Sequence, residues 1–244
     1  MRWENVITHS SRFITRVFNQ LFPPACILCT YPTRSANSLC SRCQQDLPIL
    51  PYHCQQCAQF LSPPTVNGLC TPCQHQPPPF DRTYALFPYQ PPITSLIVQL
   101  KFHHQLAIAR AIGHLFIQRF QQAYGGQPLP DLILPIPLHP NRLRERGFNQ
   151  AVELARPIAR AFNLPLDIKG VKRTKHTAAQ SGLLAKEREH NIANAFTAYR
   201  AYSGLTIAVV DDVVTTGSTI TECCKVLKQQ GAKWIDVWCC ARRG

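Results

Sequence analysis

Two groups of residues in this sequence have types and spacings that can do chemistry. The first is Asp211-Asp212 followed closely by Thr215-Thr216-Gly217-Ser218-Thr219. Neighbouring carboxylates accept hydrogen bonds from adjacent sugar hydroxyls, and a small, hydroxyl-rich turn at a helix start offers N–H and O–H donors to a phosphate. The ligand implied is a ribose 5-phosphate group. The sequence contains no G-x-x-x-x-G-K-[ST] and no G-x-G-x-x-G, which argues against a P-loop nucleotidase and a dinucleotide site. The second group is four C-x-x-C pairs, Cys26/Cys29, Cys40/Cys43, Cys54/Cys57 and Cys70/Cys73, separated by ten, ten and twelve residues. One such turn presents two thiolates, and two turns complete a tetrahedral zinc site, so the eight cysteines predict two structural zinc ions. Sequential pairing closes the shorter loops and is preferred on that ground, although the spacing also allows an interleaved arrangement. Iron–sulfur or redox-active thiol chemistry is the rival reading. His53 and His75 are bystanders, because cysteine already fills every ligand position.

These residues need elements to hold them. Leu205 to Val210 is a short apolar run suited to a parallel strand buried on both faces. Adjacent carboxylates cannot both hide in a core, so Asp211 and Asp212 are expected at the strand's carboxyl end, where open α/β sheets bind ligands. Beyond the loop, Ile220, Cys223, Cys224 and Leu227 recur at helical spacing. Thr219 and Glu222 stand at capping-box distance, Gly231 ends the helix, and Trp234–Cys240 is the next strand. Cys223, Cys224, Cys239 and Cys240 lack ligand spacing and read as core residues. Upstream, Thr83–Tyr89 is an expected strand, and Ile93–Phe102 and Leu106–Tyr124 are expected helices. Asp131–Pro137 opens the α/β core. The stretch from Leu138 to Gln150 reads as a basic loop whose Arg142, Arg144 and Arg146 are placed to hold an anion. Asn149–Phe162 reads as a helix containing Pro157, and Leu164–Val171 as a strand. Lys172–Gly182 reads as a mobile loop with Arg173, Lys175 and His176 as candidates to meet a leaving group. Leu183–Asn191 reads as a solvated helix face.

The chain has 244 residues, a formal net charge of +13 and twelve cysteines. This length allows one α/β domain and a smaller module, and the charge implies a polyanionic partner such as pyrophosphate, nucleic acid or an anionic membrane surface. No run approaches the ~20 apolar residues of a membrane span, and no cleavable leader is evident at the N-terminus, so the expected location is the cytosol, where thiols stay reduced. Met1–Phe22 reads as a basic amphipathic helix. It is expected to pack on its own protein, with peripheral contact to the inner face of a membrane as the sharper alternative. Pro77-Pro78-Pro79 separates the modules, giving expected boundaries of 1–22, 23–79 and 80–244. No internal repeat is visible.

The acid pair and its loop closely resemble the ribose-phosphate loop of type I phosphoribosyltransferases. That resemblance implies that Asp211 and Asp212 take the ribose hydroxyls of 5-phosphoribosyl 1-pyrophosphate (PRPP) and that Val214, Thr215, Thr216, Gly217, Ser218 and Thr219 take its 5-phosphate. It also implies Mg²⁺ bound with PRPP, and Arg142, Arg144, Arg146, Arg173 and Lys175 around the pyrophosphate. The wider order of motifs is the cysteine pairs, Pro137-Leu138-His139-Pro140, Arg146-Gly147-Phe148-Asn149-Gln150, Thr177-x-x-Gln180, Arg188-x-x-Asn191 and the acid-pair loop. Taken together it resembles the ComF family from about Pro23 onward. The implied fold is a type I phosphoribosyltransferase-like α/β core with a mainly parallel sheet, preceded by a double zinc-ribbon module. The implied role is in DNA uptake during competence, with single-stranded DNA or another competence protein as partner. The acceptor, turnover and oligomeric state stay open. The alternative is a PRPP-sensing or DNA-binding scaffold, for which Tyr52, Phe60, Tyr84, Phe87 and Tyr89 are candidate stacking residues or simply core.

Overall fold

In a computed structural model of the chain, the structure describes residues 25–35, 38–65, 67–123, 128–175 and 192–244. The expected helix over 1–22, residues 176–182 of the expected mobile loop and all of Leu183–Asn191 lie outside the described residues. The chain forms two compact units, Met1–Leu47 and Pro48–Gly244. The division falls between the second and third C-x-x-C pairs, so one cysteine quartet belongs to each unit.

The first unit is a ribbon. Ala25 bridges Pro32 across the first C-x-x-C turn, and a short helix, α1 (Ser41–Gln45), starts at Cys40. Leu39 and Leu47 are buried in it. The second unit begins with a ribbon of the same design, in which His53 bridges Phe60 and α2 (Thr71–His75) starts at Cys70. The likeness extends to single bonds: Cys26 N–H to Tyr31 O matches Cys54 N–H to Gln59 O, and Thr30 N–H to Cys26 O matches Ala58 N–H to Cys54 O. Thr30 (φ 60°) and Ala58 (φ 56°) share the left-handed conformation that closes each turn. The two ribbons are thus a structural repeat, contrary to the sequence reading. Few side chains recur besides the cysteines, Leu39/Leu69 and Gln44/Gln74 among them, and most of the repetition is in the backbone.

The α/β core follows. Its sheet contains β1 (Arg82–Pro88), β2 (Leu132–Pro135), β5 (Thr206–Val214) and β6 (Trp234–Arg242), in the order β1-β6-β5-β2, all pairs parallel. Between β1 and β2 lie α3 (Ile93–His103) and α4 (Leu106–Ala123). After β2 come α5 (Pro140–Arg146) and α6 (Gln150–Phe162), and α7 (Ser218–Gln229) joins β5 to β6. A parallel sheet needs crossovers, and these helices supply them. Ile207, Val209, Ile235, Val237 and Cys239 pack with Ile220, Cys223, Cys224 and Leu227 of α7. All four cysteines of α7 and β6 are buried core residues, as expected.

Two sequence expectations fail. Leu164–Val171 is not a strand of the sheet: only Leu166 bridges Ile133. Asp167 then accepts hydrogen bonds from the amides of Lys169 (3.1 Å) and Gly170 (2.7 Å) and from the Tyr202 hydroxyl (2.9 Å), which turns the chain away. It forms instead a small antiparallel pair, β3 (Val171–Arg173) with β4 (Phe196–Ala198). Lys172 and Arg173 are therefore strand residues and not loop residues. The basic stretch after β2 is likewise a helix, α5, with Pro140 in its first turn and Gly147 (φ 75°) ending it. Among the described residues, no helix is long and apolar enough to cross a membrane.

Pro157 sits inside α6, and Gly113 of α4 lies against its ring, so that a Cβ at Gly113 would run into Pro157. Gly113→Ala is therefore expected to destabilise the chain by about 1–2 kcal/mol, overpacking outweighing the helix propensity of alanine. A lowered urea midpoint with an unchanged slope would show it.

Candidate functional site

Each cysteine quartet is preformed. The sulfurs of Cys26, Cys29, Cys40 and Cys43 lie within 4.8 Å of one another, as do those of Cys54, Cys57, Cys70 and Cys73. Tetrahedral zinc with sulfur at about 2.3 Å puts sulfurs about 3.8 Å apart. Cys29 and Cys40 stand 3.8 Å apart, and Cys57 and Cys70 3.5 Å. Both quartets fit zinc, and the pairing is sequential. Burial opposes ionisation of Cys54, but amide hydrogen bonds from Cys57, Cys70 and Gln56 draw its thiol down to about 7. Burial and the neighbouring Cys54 push Cys57 up to about 11. Four thiolates this close repel one another, and a dication in their centre is what lets all four ionise.

The acid pair stands where β5 outruns β2. The last β2 partner is Pro135, opposite Val210, and from Asp211 onward β5 pairs only with β6. The pair is not exposed, contrary to expectation: Asp211 is 9% and Asp212 3% accessible. The reason is that other elements bring partners. Lys101 of α3 forms an ion pair with Asp212. Gln150, the first residue of α6, donates to Asp212 Oδ1 at 3.1 Å. Asp211 Oδ1 accepts from the Asp212 amide at 2.8 Å.

The two carboxyls consequently titrate in opposite directions. Burial, then the Asp212 charge, push Asp211 well above the carboxylate range. Burial acts the same way on Asp212, but Lys101 outweighs it and holds that carboxyl below its ordinary value. Lys101 is held up in turn, Asp212 overcoming the effect of burial.

The phosphate loop follows directly. Gly217 (φ 83°) caps α7, which begins at Ser218, so the expected Thr219–Glu222 capping box does not form. Glu222 instead accepts from the Asn194 amide (3.1 Å) and pairs with Lys225 (2.6 Å). Thr216 is exposed, its hydroxyl 2.8 Å from that of Ser218, while Val214 is buried. The loop leads directly into the first turn of a twelve-residue helix, whose N-terminus carries the positive end of the helix dipole.

Of the cations named from the sequence, two come to the acids. Arg146 is half-buried, and Asp212 and Asp211 offset the effect of burial on it; it donates to Gln150 Oε1 at 2.6 Å. Gln150 therefore relays between Arg146 and Asp212. Arg173 ends β3, where burial lowers its pKa and the charge of Asp211 acts against that shift. Arg142 pairs instead with Glu145, Arg144 with Asn141, and Lys175 with the Ala193 carbonyl. Arg173 also lines a cavity of 390 Å³ with Pro137, Leu138, Phe148, Asn149 and Lys172; neither aspartate reaches its wall. The sequence reading missed Lys101, Gln150 and Arg242. Lys101 left one trace, a lone cation after the buried run Leu96, Ile97 and Leu100.

Comparison with known proteins gives a consistent result. Residues 99–244 match the family model "Phosphoribosyl transferase domain", and residues 17–74 match "Double zinc ribbon domain". The chain is 36% identical over 223 residues to "DNA utilization protein YhgH" of Salmonella typhi, covering 90% of this chain and 97% of that one. It is 36% identical over 213 residues to "Competence protein F" of Haemophilus influenzae, covering 84% and 91%. "Competence protein ComFC" of Bacillus subtilis is 25% identical over 203 residues, covering 79% of each chain.

Lys101→Met strands Asp212 as a buried carboxylate and is expected to cost about 3 kcal/mol at pH 7. Asp212's folded pKa is depressed, so the pair's contribution is complete above the unfolded value and fades as pH falls below about 4. Urea unfolding of the native and Lys101→Met chains should show a wide gap at pH 7 that narrows at pH 3.5.

Proposed function

This chain belongs to the ComF family, which joins a double zinc ribbon to a phosphoribosyltransferase-like α/β domain, and from that premise we propose that it binds PRPP with a divalent cation. The observation that carries this reading is the loop at the start of α7, following at once on the two aspartates with Arg146 and Arg173 beside them. In this reading the amides and hydroxyls of Thr215–Thr219 hold the 5-phosphate. Asp211 and Asp212 hold the ribose hydroxyls. Arg146 and Arg173 face the pyrophosphate, with Arg142, Arg144 and Lys175 as outer positive charge.

The carboxylate oxygens suit Mg²⁺, which when bound offsets charge on the pyrophosphate oxygens. The protein's own part is to position and to exchange partners. The ion pair with Lys101 has to open as ribose hydroxyls arrive at Asp212. Asp211, whose pKa burial raises, accepts more strongly from a ribose hydroxyl in its ionised form. Arg146 and Arg173, already placed, stabilise charge that builds as pyrophosphate departs from the ribose carbon. An acceptor nitrogen is the nucleophile in this scheme. The closed Lys101–Asp212 pair also favours a second reading, in which the same site senses PRPP without transfer.

The relatives bear names referring to competence and DNA utilization, and this chain's formal net charge is +13. We extend the proposal to handling of single-stranded DNA during competence.

Calorimetry with Mg-PRPP should show binding that the Asp211→Asn/Asp212→Asn pair weakens at least about tenfold. Burial raises the pKa of Asp211 and its ionised form is the stronger acceptor, so affinity should rise as pH climbs through that raised pKa, and there the heat should vary with the buffer's ionisation enthalpy. Unchanged affinity in the double variant would sink the site assignment. Pyrophosphate release assayed with the same samples separates transfer from sensing. Filter binding of single-stranded DNA across a salt series should give a steep log–log slope, and a flat one would remove DNA from the proposal.

A further inference from the structure

We infer that Arg242 is a positioning residue coupling the second zinc ribbon to the phosphate loop, so that metal in the Cys54/Cys57/Cys70/Cys73 quartet and a phosphate at Thr215–Thr219 strengthen each other's binding. This rests on the proposed reading of that loop.

Arg242 ends β6 and is 4% accessible. Its guanidinium is shared between two places far apart in sequence. Toward the ribbon, Nε donates to Cys57 O at 3.0 Å and Nη2 to Gln59 Oε1 at 2.7 Å. Toward the loop, Nη1 donates to Val214 O at 3.1 Å and to Thr215 O. The backbone follows the same path: Arg243 N–H donates to Val214 O at 3.0 Å. Gly244 lies so close to Phe60 of the ribbon that a Cβ there would enter its ring. On the ribbon side, Gln56 Nε2 adds a bond to Phe80 O at 3.1 Å, just before β1.

Charge makes this more than a structural tie. Each acceptor on Arg242 is a neutral oxygen, and among the described residues no carboxylate forms an ion pair with it. A buried cation without a counter-charge is costly. The two places it touches are the two where negative charge is expected. Four thiolates around one zinc dication leave a net charge of two minus, and a phosphate on the loop adds a second anion. Each anion stabilises the guanidinium in the position that serves the other.

Metal also fixes the acceptors. Cys57 is a ligand and offers the carbonyl, and Gln59 follows the left-handed Ala58 that closes the turn. Backbone hydrogen bonds from Cys54 N–H to Gln59 O and from Ala58 N–H to Cys54 O close the turn, and ligation of Cys57 together with Cys70 would tie it to the other half of the ribbon. Loop and metal are therefore linked, and linkage is reciprocal: the factor by which zinc tightens phosphate binding equals the factor by which phosphate tightens zinc.

The experiment uses the full chain carrying Cys26→Ser and Cys29→Ser, so that only the second quartet reports zinc. Zinc affinity is measured by competition with a chromophoric chelator, with and without saturating Mg-PRPP, and PRPP affinity by calorimetry. We expect Mg-PRPP to tighten zinc binding about five- to tenfold. Gln59→Leu, which leaves all four ligands and the loop intact, should remove most of that gain while the zinc content stays at one per chain. Arg242→Lys, which keeps the charge and loses the fork, should do the same. If Mg-PRPP binds and zinc affinity does not move, or if both variants keep the full gain, the coupling is wrong and the phosphate site stands. If Mg-PRPP does not bind the parent chain at all, the reading of the loop fails and takes the coupling with it.

Discussion

The structure turns on burying a carboxylate at the end of a central strand. Asp212 is enclosed because Lys101 neutralises it and Gln150 satisfies it, and each of these comes from a different helix. An ion pair of this kind gains little over a well-packed apolar substitute, but removing either half is expensive. Its value is geometric. It fixes where the end of α3 and the start of α6 stand against β5. Through the Gln150 relay it also fixes Arg146 at the end of α5. Three helices and the central strand are thereby set around one polar point, at the edge of the sheet where the phosphate loop begins.

The second constraint is the small size of the ribbons. Neither can bury enough apolar surface to fold on that alone, so sulfur ligation stands in for a core. The two quartets share one backbone plan but belong to different compact units. The first has its own few buried residues, such as Leu39 and Leu47. The second joins the α/β core through Cys57, which packs against the hydrophobic cluster beneath α7. The second of the two ribbons thus lies in the compact unit that carries the Thr215–Thr219 loop.

What could be read from the sequence was what is local in it. The C-x-x-C spacing, the apolar run of β5, the acids after it and the glycine at 217 lie within a few residues of the groups they position. Lys101, Gln150 and Arg242 could not be found that way, because each has a partner in a distant part of the chain: Asp212 for Lys101 and Gln150, and the second ribbon for Arg242. Local patterns also failed where tertiary contacts prevailed. Glu222 had the spacing of a capping box, but Gly217 took the left-handed cap and Glu222 found Lys225 and the Asn194 amide. The run from Leu164 was apolar enough for a strand, yet Asp167 turned it away. The helix at Pro140–Arg146 was signalled by its proline and by Gly147, and those signals were outweighed by the density of charge between them.

The opposed titration of the two aspartates has a consequence for what the site attracts. Burial disfavours the charge on Asp211 and Lys101 balances that on Asp212, so the acid pair presents less negative charge than two free carboxylates would. Arg146 and Arg173 then set the local sign, which is positive. On the proposed reading, a site built this way draws in a polyanion first and frees its own acceptors only afterwards, when the Lys101 pair opens. Free carboxylates at the same positions would repel pyrophosphate on approach. Burying the acids resolves two demands that conflict in one pocket, attracting an anion and then accepting hydrogen bonds from its sugar.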